Sequence, residues 1–117
     1  MWVVFLLLTI TLRTGRWSDR LDGGSNDVQW DSVHWAGAFP PNTTVDARVR
    51  TARTLQTLVG AEWSPRIFET PMQIPPANPE TGYSPRNRWI EVELRLSRQE
   101  DEVMPALQRV RVNYQRP

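Results

Sequence analysis

Two stretches near the C-terminus alternate apolar and polar residues without a break: Trp-Ile-Glu-Val-Glu-Leu-Arg-Leu over 89–96 and Leu-Gln-Arg-Val-Arg-Val-Asn-Tyr over 107–114. A period of two sends successive side chains to opposite faces of a strand, so Ile90, Val92, Leu94 and Leu96 are expected to share a core with Val110, Val112 and Tyr114. The opposite faces carry Glu91, Glu93 and Arg95 and, from the second stretch, Arg109, Arg111 and Asn113. Direct antiparallel pairing of the two would set Glu against Arg. Residues 44–51 alternate in the same way, with Val45, Ala47 and Val49 inward and Asp46, Arg48 and Arg50 outward. Residues 28–35 are rich in strand formers but out of phase, and a bulge between Trp30 and Val33 would let Trp30 and Trp35 both point inward. The Asp-Gly-Gly-Ser-Asn-Asp run at 22–27 is turn chemistry, and Pro40-Pro41-Asn42 breaks the chain again. Leu55, Leu58 and Val59 have the i, i+3, i+4 spacing of a short helical turn closed by Gly60. Six prolines between Trp63 and Pro85 leave room only for short edge strands at 66–70 and 72–74, and 78–87 reads as an exposed loop.

At the other end, residues 2–12 form an uncharged run of 11. A helix needs about 20 residues to cross a bilayer, and this run lacks the basic start and small-residue cleavage site of a signal peptide. Its β-branched and aromatic content suits a strand buried on both faces or inserted between subunits. Left uncovered, such a strand would template aggregation, which makes Trp2, Val4, Phe5, Leu7 and Ile10 candidate subunit contacts. The chain thus divides into an apolar N-terminal strand or arm, 1–15, and a domain at 16–117. Six or more strands, frequent turns and no long helix predict an all-β fold, an antiparallel β-sandwich of jelly-roll type with one short helical turn.

Composition narrows the chemistry. One domain is what 117 residues can build. All 14 basic residues are Arg, balanced by 13 Asp and Glu, so the near-neutral chain lacks the basic footprint of a nucleic-acid binder. With no Cys there are no disulfides, thiolate metal sites or Cys nucleophiles, and a single His argues against a transition-metal centre.

Glu91 and Glu93 stand about 6.5–7 Å apart by strand rise, within reach of the carboxylate spacing of inverting glycosidases. The arginines around them would lower both pKa values, the wrong direction for a general acid. His34 with Ser32 and Asp31 invites comparison with a hydrolase triad, but adjacent strand residues point to alternate faces. Catalytic residues are therefore expected to be none. Asp22, Asn26 and Asp27 offer hard oxygen ligands in a glycine-containing loop, which makes calcium the one cofactor to consider, although turn capping accounts for the same residues. Six Trp are many for this length. Most are expected in the core, and Trp63 and Tyr83, flanking the proline-rich loop, are the candidates for stacking on a sugar ring.

Seven blocks in order carry a resemblance: Ser18 to Gly24, Trp30 to Trp35, Pro41 to Thr44, Val45 to Thr51, Trp63-Ser64, Arg88 to Leu96 and Pro105 to Tyr114. Together they resemble the galactose-binding-like, or discoidin-like, jelly-roll module of phage tail, baseplate and contractile injection system proteins. The resemblance implies a structural or adhesive module and no catalysis. Three functions follow as expectations. The first is a non-enzymatic structural subunit of a virion or related extracellular assembly, a homo-oligomer or a partner of other subunits. The second is a carbohydrate-binding surface module, and the third a small membrane-anchored bacterial subunit.

Overall fold

The computed structural model describes residues 2–12, 15–98 and 106–117, with side chains at 15–97 and 106–117. The alternating stretches are strands: β4 Thr43–Ala52, β6 Trp89–Arg98 and β7 Ala106–Arg116. To these are added β1 Trp2–Leu12, β2 Gly15–Asp22, β3 Gln29–Ala38 and the two-residue β5 Met72–Gln73. A single helical turn, α1 Leu55–Leu58, starts at Thr54, whose side chain accepts from the Thr57 N–H. Of Leu55, Leu58 and the capping Val59 only Leu58 is buried.

Successive strands alternate between two antiparallel sheets, β1-β7-β3-β5 and β2-β6-β4. Beyond β4, residues 64–67 occupy an eighth place: Ala47 and Ile67 exchange both backbone hydrogen bonds at 2.9 Å, and the Ser64 N–H donates to Val49 O at 2.7 Å. This is the jelly-roll arrangement. The sequence expectation of an all-β sandwich with one helical turn therefore holds.

The core lies between the sheets, where Trp30, Val33, Val49, Ile90, Val92, Leu94, Val110 and Val112 are almost fully shielded from solvent. The expected bulge exists: the register slips between Trp30 and Ser32, and Trp30, Val33 and Trp35 all turn inward. A second irregularity, between Ala36 and Gly37, brings two backbones so close that a Cβ at Gly37 would stand 1.9 Å from Ala106 O. Only glycine fits there.

Two expectations are corrected. β6 and β7 do not pair, because they belong to opposite sheets: β6 lies between β2 and β4, and β7 between β1 and β3. Glu91 and Glu93 therefore meet Arg50 and Arg48, their register partners on β4, and not Arg109 or Arg111. Nor is Asp46 an exposed outward residue. It is 1% exposed, roofed by arginines.

The N-terminal run is a strand of the chain's own sheet, pairing with β7 in the register Val4↔Tyr114, Leu6↔Val112 and Leu8↔Val110 on one set of positions and Phe5↔Asn113, Leu7↔Arg111 and Thr9↔Arg109 on the other. The side chains of Trp2, Val4, Phe5, Leu7 and Ile10 lie outside the described residues. No helix among the described residues is long and apolar enough to cross a membrane.

Candidate functional site

The two outer faces of the sandwich and the rim near the prolines hold the candidate chemistry. On the face of the β2-β6-β4 sheet, strand alternation lines up Asp46, Arg48 and Arg50 beside Glu91, Glu93 and Arg95. Asp46 accepts from Arg66 Nη1 at 2.6 Å and from Arg95 Nε at 3.0 Å. Glu93 accepts from Arg66 Nη2 at 2.8 Å and Arg48 Nε at 3.0 Å, and Glu91 from Arg50 Nε at 2.6 Å. Trp63 closes the array, with the Arg48 and Arg50 guanidinium carbons 4.1 Å and 4.3 Å from its ring centroid. Burial alone would raise the Glu93 carboxyl, but hydrogen bonds from Arg48 and Arg66 outweigh it and hold the pKa below its ordinary value. Glu93 is thus held away from the protonated form a general acid needs, and it ties β6 to β4 through Arg48 as Glu91 does through Arg50.

Residues 63–65 and 75–83 border a groove of about 520 Å³. Both sugar-stacking candidates, Trp63 and Tyr83, line it, along with Pro65, Pro75, Pro76 and Pro79. They contribute differently. Tyr83 is 5% exposed and its hydroxyl donates to Pro75 O at 3.0 Å, so its ring is a wall of the fold. Trp63 is half-buried and already carries the two guanidinium groups.

The loop after β2 holds the oxygen ligands proposed for calcium. Asp22 is engaged by a two-pronged contact from Arg88, Nε to Oδ1 at 2.8 Å and Nη2 to Oδ2 at 2.9 Å, and Oδ1 also accepts from the Gly24 N–H. Led by the Arg88 hydrogen bonds, these contacts hold its carboxyl at about 2. Asn26 and Asp27 are exposed, and the Asp27 N–H donates to Ser25 Oγ. Among the described residues no three His, Asp or Glu side chains gather in a group that could hold a metal ion.

On the face of the other sheet, strand alternation puts Ser32 and His34 side by side, with Ser32 Oγ 3.1 Å from His34 Nε2. The Asn113 carboxamide lies 3.2 Å from the same nitrogen, and Arg111 Nη2 3.2 Å from His34 Nδ1. A guanidinium can only donate, so Nδ1 accepts from Arg111, while the other ring nitrogen faces both the Ser32 hydroxyl and the Asn113 Nδ2 amide. Nucleophilic catalysis needs a carboxylate behind the second ring nitrogen, and here the Arg111 guanidinium stands in that place. Asp31 instead accepts from Gln115 Nε2 at 2.8 Å. Arg111 Nε is buried with no hydrogen-bond partner among the described residues.

Burial, and then the nearby Arg111 charge, hold the His34 pKa below its ordinary 6.5. A group that binds its proton less readily in the fold than in the unfolded chain stabilises the fold fully above the unfolded pKa, and this is lost as pH falls through it. The melting temperature is therefore expected to drop from about pH 7.5 to about pH 5.5, and His34→Gln to flatten that limb. Thermal melts in matched buffers check this, and a limb of equal slope in the variant would contradict it. Glu93 and Asp22 act at lower pH in the same direction, each giving stability present above its unfolded value and lost on acidification. The Asp22–Arg88 pair is solvent-screened, with side chains 36% and 45% exposed, so its share is small.

Sequence reasoning missed the Asp46–Arg66–Glu93–Arg48 chain and the clasp of Trp63 on Arg48 and Arg50. One signal was available, Asp46 followed by Arg48 and Arg50 on the same face of one strand. Arg66, however, comes from a proline-rich segment whose path the pattern does not define. No protein-family model, curated protein or solved structure matches the chain.

Proposed function

We propose that the chain is a non-enzymatic structural subunit of a phage tail, baseplate or related extracellular assembly, acting through subunit contacts along β1. One observation carries the reading: β1 is an 11-residue edge strand with no charged residue. Edge strands of free-standing proteins are blunted by charges, prolines, bulges or short length, since an open ladder recruits other strands. The kind of assembly is taken from the resemblance carried by the order of the sequence blocks, of which Trp30 to Trp35 falls on β3, Val45 to Thr51 on β4 and Trp89 to Leu96 on β6.

Phe5→Glu with Leu7→Glu tests this. The two positions are the register partners of Asn113 and Arg111, so the new carboxylates gain a favourable cross-strand neighbour within the chain and oppose an apolar partner outside it. The variant is expected to keep the circular dichroism of the parent and to lose its entry into the oligomer or particle. Undiminished entry would overturn the reading.

A second reading, a carbohydrate-binding module, is favoured by the meeting of Trp63 and Tyr83 in one groove with rigid proline walls. The open part of the Trp63 ring would then stack on a sugar, with Asn78 and Thr81 at hydrogen-bonding positions. Glycan binding should quench tryptophan fluorescence and be lost in Trp63→Leu. A glycan array with no signal above background would remove this reading.

A further inference from the structure

We infer that the partner taken by β1 is a second copy of the same strand, paired antiparallel about a two-fold axis into one continuous eight-stranded sheet. This rests on the reading of β1 as the contact surface and names what occupies it.

The described strands present four sheet edges, and three of them are closed to a partner. β5 is two residues long, with Pro71 directly before it and Pro75 and Pro76 just after, so it offers almost no ladder. The outer edge of β4 is already bonded to residues 64–67, through the Val49 carbonyl and both backbone groups of Ala47. β2 carries Arg16, Asp19 and Arg20, all exposed, along its length. β1 alone combines length with the absence of charge.

A partner edge must itself be open and uncharged, and among the described strands only β1 meets that condition. Pairing β1 with any other edge of a neighbouring copy would be heterologous and meet a blunted strand. Pairing β1 with itself is isologous, so it satisfies both edges at once and closes without propagating into a fibre. A two-fold axis normal to the sheet makes the pairing antiparallel, which matches both sheets of this fold. The strand order becomes β5-β3-β7-β1 followed by β1-β7-β3-β5 of the second copy. Charge does not oppose it, because β1 has none and the whole chain carries +1.

Register within β1 also sets apolar residues beside polar positions of β7. Across from Gln115, Asn113 and Arg111 stand Val3, Phe5 and Leu7, so the polar set of positions on β7 continues onto β1 as an apolar set. A monomeric edge strand would be expected to stay polar at those positions.

The absence of Cys makes the test clean. Phe5→Cys, Leu7→Cys and Thr9→Cys, made singly in the full chain, scan for the axis under mild oxidation, with Glu80→Cys in the exposed far loop as the collision control. At least one β1 variant is expected to form disulfide-linked dimer on the order of ten times faster than the control, since a residue at the axis meets its own copy at disulfide distance. Sedimentation should show a wild-type dimer and a Phe5→Glu/Leu7→Glu monomer of unchanged circular dichroism. Crosslinking no faster than the control overturns the second copy. A wild-type monomer whose double-Glu variant is excluded from a larger particle overturns the second copy and leaves the β1 contact standing. A monomer whose double-Glu variant still assembles overturns both.

Discussion

Trp30→Ala should cost about 4 kcal/mol of folding stability, within the range measured for removing a large ring from a core. Trp30 is fully buried, its ring centroid lies 4.7 Å from that of Tyr114 on the neighbouring strand, and its Nε1–H donates to Asn87 O at 2.8 Å. Its backbone N–H also donates to Pro85 O at 2.9 Å. The residue thus performs two tasks, filling the space between the sheets and tying the proline-rich segment to β3. Asn87 in turn donates from Nδ2 to Thr51 Oγ1 at 2.8 Å, and Thr51 donates to Ser84 O, so the same segment is held to β4. Trp30→Phe separates the two tasks. It keeps most of the buried ring and leaves the Asn87 carbonyl without its donor, a loss of about 1–2 kcal/mol. Urea midpoints at constant slope give both values. Equal losses in the two variants would mean that the hydrogen bond, and not the packing, dominates.

The second large effect is expected at Asp46. With Asp46→Ala, Arg66 and Arg95 lose the carboxylate both of them share, at a site where that carboxylate is 1% exposed. Removing one member of a buried ionic group leaves charge unpaired and costs about 3–5 kcal/mol, and the partial exposure of the two guanidinium groups puts the expected loss near the lower end, about 3 kcal/mol. An exposed ion pair would give about 1 kcal/mol or less and fade in salt. A loss of that size, erased at high salt, would contradict the buried network. Arg66→Ala should be less damaging alone, because Asp46 keeps Arg95 and Glu93 keeps Arg48. The double variant Asp46→Ala/Arg66→Ala should cost less than the sum of the single losses.

What the sequence made legible follows from what a period of two reports. It states which side of a strand faces in, and for β4, β6 and β7 every such assignment of an apolar residue was right, as was the bulge that brings Trp30 and Trp35 to one side. It does not state which strand lies alongside. β6 and β7 have nearly the same pattern, yet they occupy different sheets, because pairing is decided by connections far apart in the chain. Charged outward positions were equally ambiguous. Asp46 and Arg48 fit the same alternation, but one is sealed under Arg66 and Arg95 and the other is half-buried against Trp63. β2 escaped the pattern for another reason. As an edge strand it leaves Asp19, the register partner of buried Val92, exposed to solvent, so its alternation is broken midway. Among the candidate sites, Trp63 and Tyr83 do meet in one groove, whereas the Asp22 carboxylate is occupied by Arg88, a residue 66 positions along the chain.

Amide hydrogen exchange along β1 tests the assembly role most directly. In dilute solution, alternate N–H groups of β1 donate to β7 and exchange slowly, while the others point away from the sheet and exchange quickly. As the concentration rises and the edge is taken up, the fast set between Val3 and Thr9 is expected to become as slow as the other. Fast exchange of that alternate set at every concentration, in a chain whose β7 amides stay protected, would contradict the account.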